Sequence, residues 1–192
     1  ALGRSRDDSV DDIAALKFGV RIDQEGTLLR DFHTVEAKSS YVTYRHYLQD
    51  AVFLVGLEGP EDFIRTIADA IRHPYYPLFL GRRSCPPVGQ IVIGTRDCDL
   101  MEALSEEKWL ASPWYRKRQP KTVQLEIVMD SDGTDDSAMV NDCPVSFSQE
   151  RRKFTRRPVS RILNAVCLDN EDGRSMSSQR TDHDVMAYLG GD

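Results

Sequence analysis

Between Phe18 and Ile71 the spacing of apolar residues changes once, from a period of two to a period near 3.6, and this restricts the chain to a mixed α+β architecture. Phe18, Val20 and Ile22 alternate with Lys17, Gly19, Arg21 and Asp23, which predicts a half-buried strand. Gln24-Glu25-Gly26 turns it, and Leu28 to Val35 reads as its hairpin partner. Aromatic and basic residues interleave from Tyr41 to Tyr47, and Ala51 to Leu57 is a nearly continuous apolar run suited to a central strand. The helical period then takes over. Pro60 at N1, with Glu61 and Asp62 in the first turn, predicts a helix that presents Phe63, Ile64, Ile67, Ala68 and Ile71 on one face and ends at His73-Pro74.

Further strands are expected at Tyr76 to Leu80 and Gln90 to Ile93, a helix over Asp99 to Leu110, and a strand over Thr122 to Met129 with Val123, Leu125 and Ile127 on its buried face. Short strands are expected at Val145 to Phe147 and Ser160 to Val166. Strand, hairpin, strand, helix, strand is a β-α-β-β-α-β ferredoxin-like unit without its first strand and helix. At the start, Ala1-Leu2-Gly3 has the form of a last helical turn with its glycine cap, so a segment is expected upstream. Ser9 with Asp12 resembles a capping box for a short helix whose apolar contacts are Ile13, Ala14 and Leu16. The expected organisation is one domain over residues 1–168 and a flexible acidic tail over 169–192.

Among 192 residues, 31 acidic and 25 basic side chains leave a net charge of -6, which does not announce a nucleic-acid binder. The distribution qualifies that. Trp114 to Lys121 and Arg151 to Arg161 are strongly basic, while Asp130 to Asp142 and the tail are acidic, so a local basic stripe on an acidic chain can still hold phosphate. Cys85, Cys98, Cys143 and Cys167 are too scattered for a zinc site or a disulfide framework, and no cofactor is called for. No apolar run approaches the roughly 18 to 20 residues of a membrane span, and the expectation is a cytoplasmic protein with no membrane partner.

Tyr76 to Pro87 reads Tyr-Pro-Leu-Phe-Leu-Gly-Arg-Arg-Ser-Cys-Pro-Pro. Gly81 allows positive φ and close backbone approach, Arg82 and Arg83 can fork onto phosphate oxygens, Ser84 adds a donor, and Pro86-Pro87 stiffens the exit. Tyr44, Arg45, His46 and Tyr47 can stack on or pair with bases, and strand alternation sets Tyr44 and His46 on one face, Arg45 and Tyr47 on the other. Asp31 and His33 share a strand face, where the carboxylate could orient the imidazole.

Three ordered motifs, Leu29-Arg-Asp-Phe-His-Thr-Val35, Thr43-Tyr-Arg-His-Tyr-Leu-Gln-Asp-Ala-Val52 and Tyr76-Pro-Leu-Phe-Leu-Gly-Arg-Arg-Ser-Cys-Pro86, together with Gly3 to Asp8, resemble the CasD family. That family is the fifth Cas subunit of the type I-E CRISPR Cascade complex, and the resemblance runs to about Gly94 before fading through Arg161. It implies a ferredoxin-like RAMP fold, a thumb-like insertion, and a scaffold that holds the 5′ handle of CRISPR RNA and caps one end of the backbone-subunit filament. The implied partners are that RNA, a backbone subunit, the large subunit and, through the complex, target DNA. The implied RNA-binding set is His33, Tyr44, Arg45, His46, Phe79, Leu80, Gly81, Arg82, Arg83 and Ser84, with Arg45 favoured from its motif position. Two departures stand out. The family's first strand and helix precede the Leu2-Gly3 seen here, and only Glu36 to Ser40 stands where the family has a longer insertion, which implies a shortened thumb. A related subtype cuts precursor RNA with its version of this subunit, and His46 or His33 with Tyr44 and Arg45 could supply a base and a cation. No adjacent Lys-His pair supports that route, and an unrelated RRM-like module would need an aromatic octapeptide that is absent.

Overall fold

The computed structural model describes residues 1–35, 40–133 and 137–174. The elements run α1 (Asp11–Ala14), β1 (Lys17–Gln24), β2 (Thr27–Val35), β3 (Tyr41–Gln49), β4 (Val52–Glu58), α2 (Glu61–Arg72), α3 (Leu100–Glu106), α4 (Pro113–Arg116), β5 (Thr122–Asp130), β6 (Ala138–Ser146) and β7 (Lys153–Asp169). Five strands form an antiparallel sheet in the order β4-β1-β5-β7-β6. β2 pairs with β3 in a separate two-stranded ribbon, not with β1 as the turn at Gln24-Glu25-Gly26 predicts, because both edges of β1 are taken by β4 and β5. That ribbon is the expected thumb-like insertion. The stretch from Glu36, on which its length depends, lies outside the described residues up to 39.

The sheet buries an unexpected face. Gly19 and Gly56 are directly paired across β1 and β4, and a Cβ at either would lie 2.9 Å and 2.5 Å from Leu104 Cδ1 and Leu100 Cδ1 respectively. Two bare backbones side by side thus form a trough into which α3 packs, and Leu54, Leu104, Trp109, Leu125, Ile127 and Val166 close the core around it. Alternation then forces Arg21 and Asp23, in phase with Gly19, to the inside at 0% and 1% exposure. Phe18, Val20 and Ile22, the apolar set of the same strand, face the opposite, half-open side.

Burying that pair is tolerable because it is saturated. Arg21 Nε and Nη2 donate to Asp23 Oδ1 and Oδ2 at 2.7 and 3.0 Å, Nη1 donates to the Leu104 and Glu107 carbonyls, and Nη2 also donates to Lys108 O at 2.8 Å. Asp23 Oδ2 accepts from Leu110 N at 2.7 Å, and the Asp23 carbonyl accepts from Trp109 Nε1 at 2.9 Å. The guanidinium takes the carbonyl of Leu104 in the last turn of α3 and those of Glu107 and Lys108 just past it, and the helix stops at Glu106 and not at Leu110 as its sequence predicts. At its other end Asp99 Oδ1 accepts from Glu102 N at 2.8 Å and Glu58 Oε2 from Leu100 N at 3.0 Å, so the start of α3 is doubly capped.

Other expectations need correction. Tyr76 to Leu80 and Gln90 to Ile93 are irregular, since Pro74, Pro77, Pro86 and Pro87 deny the chain the ladder donors a strand requires. The apolar run of β4 lies at the sheet's edge and not at its centre, with Phe53, Val55 and Leu57 at 42%, 54% and 37% exposure. Pro60 is the N-cap of α2, one position before the expected N1, and Ala68 alone of the helix's apolar stripe is buried. Ala1 to Ser5 is not helical, and Gly3, at φ 72°, packs on Tyr75. α1 has Val10 as N-cap with no side-chain cap, and Val10 and Leu16 are buried while Ile13 and Ala14 are exposed. The two short C-terminal strands are instead the long ribbon of β6 and β7. Asn170, expected in the tail, is 3% exposed and donates through Nδ2 to the carbonyls of Arg116 and Pro120, which docks the chain as far as the Pro120–Arg174 bridge.

Candidate nucleic-acid interface

β2 and β3 pair without a break from Thr27↔Gln49 to Val35↔Tyr41, as two arms rich in β-branched and aromatic residues should. The base of this ribbon is tied to the body by Gln24, whose Nε2 donates to Asp50 O while its Oε1 accepts from Ser112 Oγ at 2.8 Å. Register fixes two faces. His33, opposite Thr43, shares a face with Asp31↔Arg45 and Leu29↔Tyr47, while Arg30↔His46 and Phe32↔Tyr44 define the other. On the first face Thr43, Arg45 and Tyr47 are partly covered, whereas Tyr44 and His46 on the second are exposed.

The Gly-Arg-Arg loop meets this face at Tyr47. Leu80 N donates to Cys85 O at 2.8 Å and Cys85 N to Arg82 O at 2.9 Å, closing a compact turn that Gly81 opens with φ 77°. Among the described residues no atom beyond the two chain neighbours lies within 4 Å of where a Gly81 Cβ would be, so this backbone is open to a ligand. Arg82 reaches across to Tyr47 and stacks its guanidinium 5.1 Å from the ring centroid. The stack holds the plane and leaves the in-plane N–H groups available, which is the presentation a phosphate needs. Among the described residues Arg45, Arg82 and Arg83 have no carboxylate within ion-pairing distance.

The structure therefore gathers His33, Arg45 and Arg82 at one surface, with Phe79 (49% exposed), Leu80 (70%), Gly81, Arg83 and Ser84 in the same exposed loop. Tyr44 and His46 stand apart from it, across the ribbon. There Arg30 lies 4.7 Å over the Tyr44 ring, a second cation–aromatic pair that sequence reasoning missed. Hairpin register was the signal, since pairing Arg30 with His46 sets Arg30 diagonal to Tyr44. Two of the six cations in the basic run from Arg151 to Arg161 are spent within the sheet. Arg157 pairs with Asp142 and Asp130, and Arg161 with Glu126.

An antiparallel sheet with a ribbon thumb set beside an arginine loop defines a RAMP-like protein. The chain is similar to a solved chain described as "CRISPR RNA-guided surveillance complex", with TM-score 0.66 and 29% identity over 88% of this chain and 78% of that one. A second, "Crystal structure of Cas protein", gives TM-score 0.60 and 31% identity over 91% of this chain and 77% of that one. The family model for CRISPR-associated protein (Cas_Cas5) matches residues 1–160, and the chain belongs to that family. A curated relative, the "CRISPR system Cascade subunit CasD" of Escherichia coli (strain K12), is 33% identical over a 118-residue alignment that takes in 49% of this chain and 53% of the relative. The chain thus spans about half the length of the curated relative it matches.

Proposed function

We propose that this chain is the RNA-holding subunit of a type I-E Cascade surveillance complex, gripping the 5′ handle of CRISPR RNA between its ribbon thumb and its Gly-Arg-Arg loop. It caps the filament of backbone subunits, helps dock the large subunit, and meets target DNA only through the complex. It works in the cytoplasm in antiviral defence. The observation that carries this reading is the Arg82–Tyr47 stack, which joins two of the sequence's family motifs into one surface. Single-stranded RNA is held by splayed bases on aromatic and guanidinium planes and by phosphates on cations, and this surface offers both.

The chain binds without cutting. Metal-free cleavage needs a base and a cation around one phosphate, and the register puts His46 opposite Arg30 on the ribbon face away from Arg45 and Arg82, so it does not act on a phosphate held in the grip. His33 is on the near face, with its carbonyl accepting from Thr43 Oγ1 at 3.1 Å. The test is to assemble the complex on CRISPR RNA, map photo-crosslinks from this subunit, and incubate the subunit with labelled precursor. Crosslinks confined to the 5′ handle and intact precursor support the reading. Crosslinks spread along the spacer would sink the handle assignment, and 2′,3′-cyclic phosphate ends lost on His46→Ala or His33→Ala would establish the endoribonuclease instead.

A further inference from the structure

A second site begins at a defect in β7. Leu125 pairs with Val166 but Ile127 with Ile162, so three residues of β7 stand opposite Glu126 alone. The bulge throws Leu163 outward at 66% exposure and holds Asn164 in the left-handed region at φ 53°. Bulges re-aim side chains, and asparagine is among the few non-glycine residues that readily take the left-handed conformation such a bend needs. Here both line a cavity of about 180 Å³ at the sheet end from which the thumb springs, together with Trp109, Tyr115, Gln119, Gln124 and Glu25.

The wall chemistry is specific. Trp109 and Tyr115 meet edge to face with centroids 6.2 Å apart, and the Trp109 indole N–H is already committed to Asp23 O. Burial, then the Glu25 carboxylate, pushes the Tyr115 phenol up, which keeps it a donor at neutral pH. Glu126 is occupied by Arg161 at 2.8 Å. Among the described residues the amides of Gln119, Gln124 and Asn164 and the carboxylate of Glu25 make no side-chain hydrogen bond. Amides that offer a donor and an acceptor together match the edge of a nucleobase, whereas a partner's cation would need acceptors only. Beside the cavity runs the basic segment that the thumb site leaves unused. Arg118 stacks 5.2 Å over Trp114, and Lys117 and Lys121 are exposed without an ion pair among the described residues.

We infer that the cavity takes one unstacked nucleobase carrying an exocyclic amine, adenine foremost, whose amine faces Glu25 and the amides while Lys117, Arg118 and Lys121 hold the adjoining phosphates. The inference rests on the RNA-binding reading above and adds a base-reading pocket to a surface that otherwise grips only backbone and stacked rings.

The test uses the full chain and labelled oligoadenylate and oligouridylate of equal length. The wild type binds oligoadenylate roughly tenfold tighter, the scale of one well-placed amide contact to adenine. Asn164→Gly with Gln124→Ala removes two amides while glycine keeps the left-handed backbone, and it lowers oligoadenylate binding to the oligouridylate level. Arg82→Glu with Arg83→Glu lowers both affinities and leaves their ratio intact. Equal wild-type affinities, or a preference that survives the pocket variant, would overturn the pocket while leaving the thumb reading standing. A pocket variant that keeps the preference but no longer assembles with its partner subunits would make the cavity a seat for a protein side chain. Failure of the wild type to bind either RNA would sink both readings.

Discussion

Arg82 lies 5.1 Å over the ring of Tyr47, joining a loop to a ribbon strand 35 residues earlier in the sequence. The stack has a measurable consequence. Tyr47→Ala frees the guanidinium to sample other rotamers, so it weakens RNA binding without touching a cation, and Arg82→Ala weakens it by removing one. The two losses overlap, and a double-mutant cycle on RNA affinity gives a coupling of about 0.5–1 kcal/mol, the usual strength of such a pair at an exposed site. Strict additivity would show that Tyr47 does not position Arg82.

Gly81→Val tests the loop's backbone. Valine is strained at φ 77°, and its branched side chain enters space that is otherwise open for a ligand, so the variant folds but loses RNA. Because no described residue beyond the chain neighbours lies within 4 Å of the new Cβ, the thermal midpoint falls far less than RNA affinity does. Wild-type RNA binding by the valine variant would reduce this segment to an ordinary surface turn.

The buried pair of Arg21 and Asp23 governs stability. Arg21→Met leaves a carboxylate uncompensated in the core and costs roughly 3–5 kcal/mol, read as a shift in the denaturant midpoint. Removing both charges with Arg21→Met and Asp23→Leu is less damaging than Arg21→Met alone, because no orphaned charge remains. A double variant less stable than Arg21→Met alone would contradict this account of β1.

Acid weakens the fold through two named carboxylates. The Lys17 ammonium, then the Leu100 N–H, holds Glu58 below the usual carboxylate range, and the Arg157 guanidinium does the same for Asp142. Folded values below unfolded ones mean that the stabilisation is complete above the ordinary carboxylate range, near pH 4, and is lost as pH falls through the folded values. Glu58→Gln and Asp142→Asn are therefore less stable than wild type at pH 7 and lose less on acidification. Parallel stability curves for variant and wild type between pH 7 and pH 3 would exclude both groups as the cause.

The parts of this fold that can be read from sequence are those fixed by local periodicity. The two arms of the ribbon as strands, though not their pairing with each other, β4, α2 and the buried face of β5 announce themselves by spacing, and Gly81 by the residues on either side of it. Tertiary context decided the rest. Alternation along β1 separates its two faces but does not say which is buried, and the Gly19–Gly56 trough with a self-neutralising Arg21–Asp23 pair reversed the expected choice. Tyr76 to Leu80 has strand-like composition, but prolines on either side and no partner leave it a loop. At the site, alternation separated Arg45 from Tyr44, but only the register brought out Arg30 and only the three-dimensional path of the loop set Arg82 on Tyr47.

The most direct test of the central claim is RNA content in the purified complex carrying Arg82→Glu with Arg83→Glu. Each lost charge-assisted phosphate contact costs roughly 1.5–3 kcal/mol, and each glutamate adds repulsion, while the exposure of both side chains spares the fold. The account predicts a folded subunit, verified by an unchanged thermal midpoint, in complexes that have lost the 5′ handle or fail to assemble around it. Wild-type occupancy of the handle by the folded double variant would contradict the proposed grip.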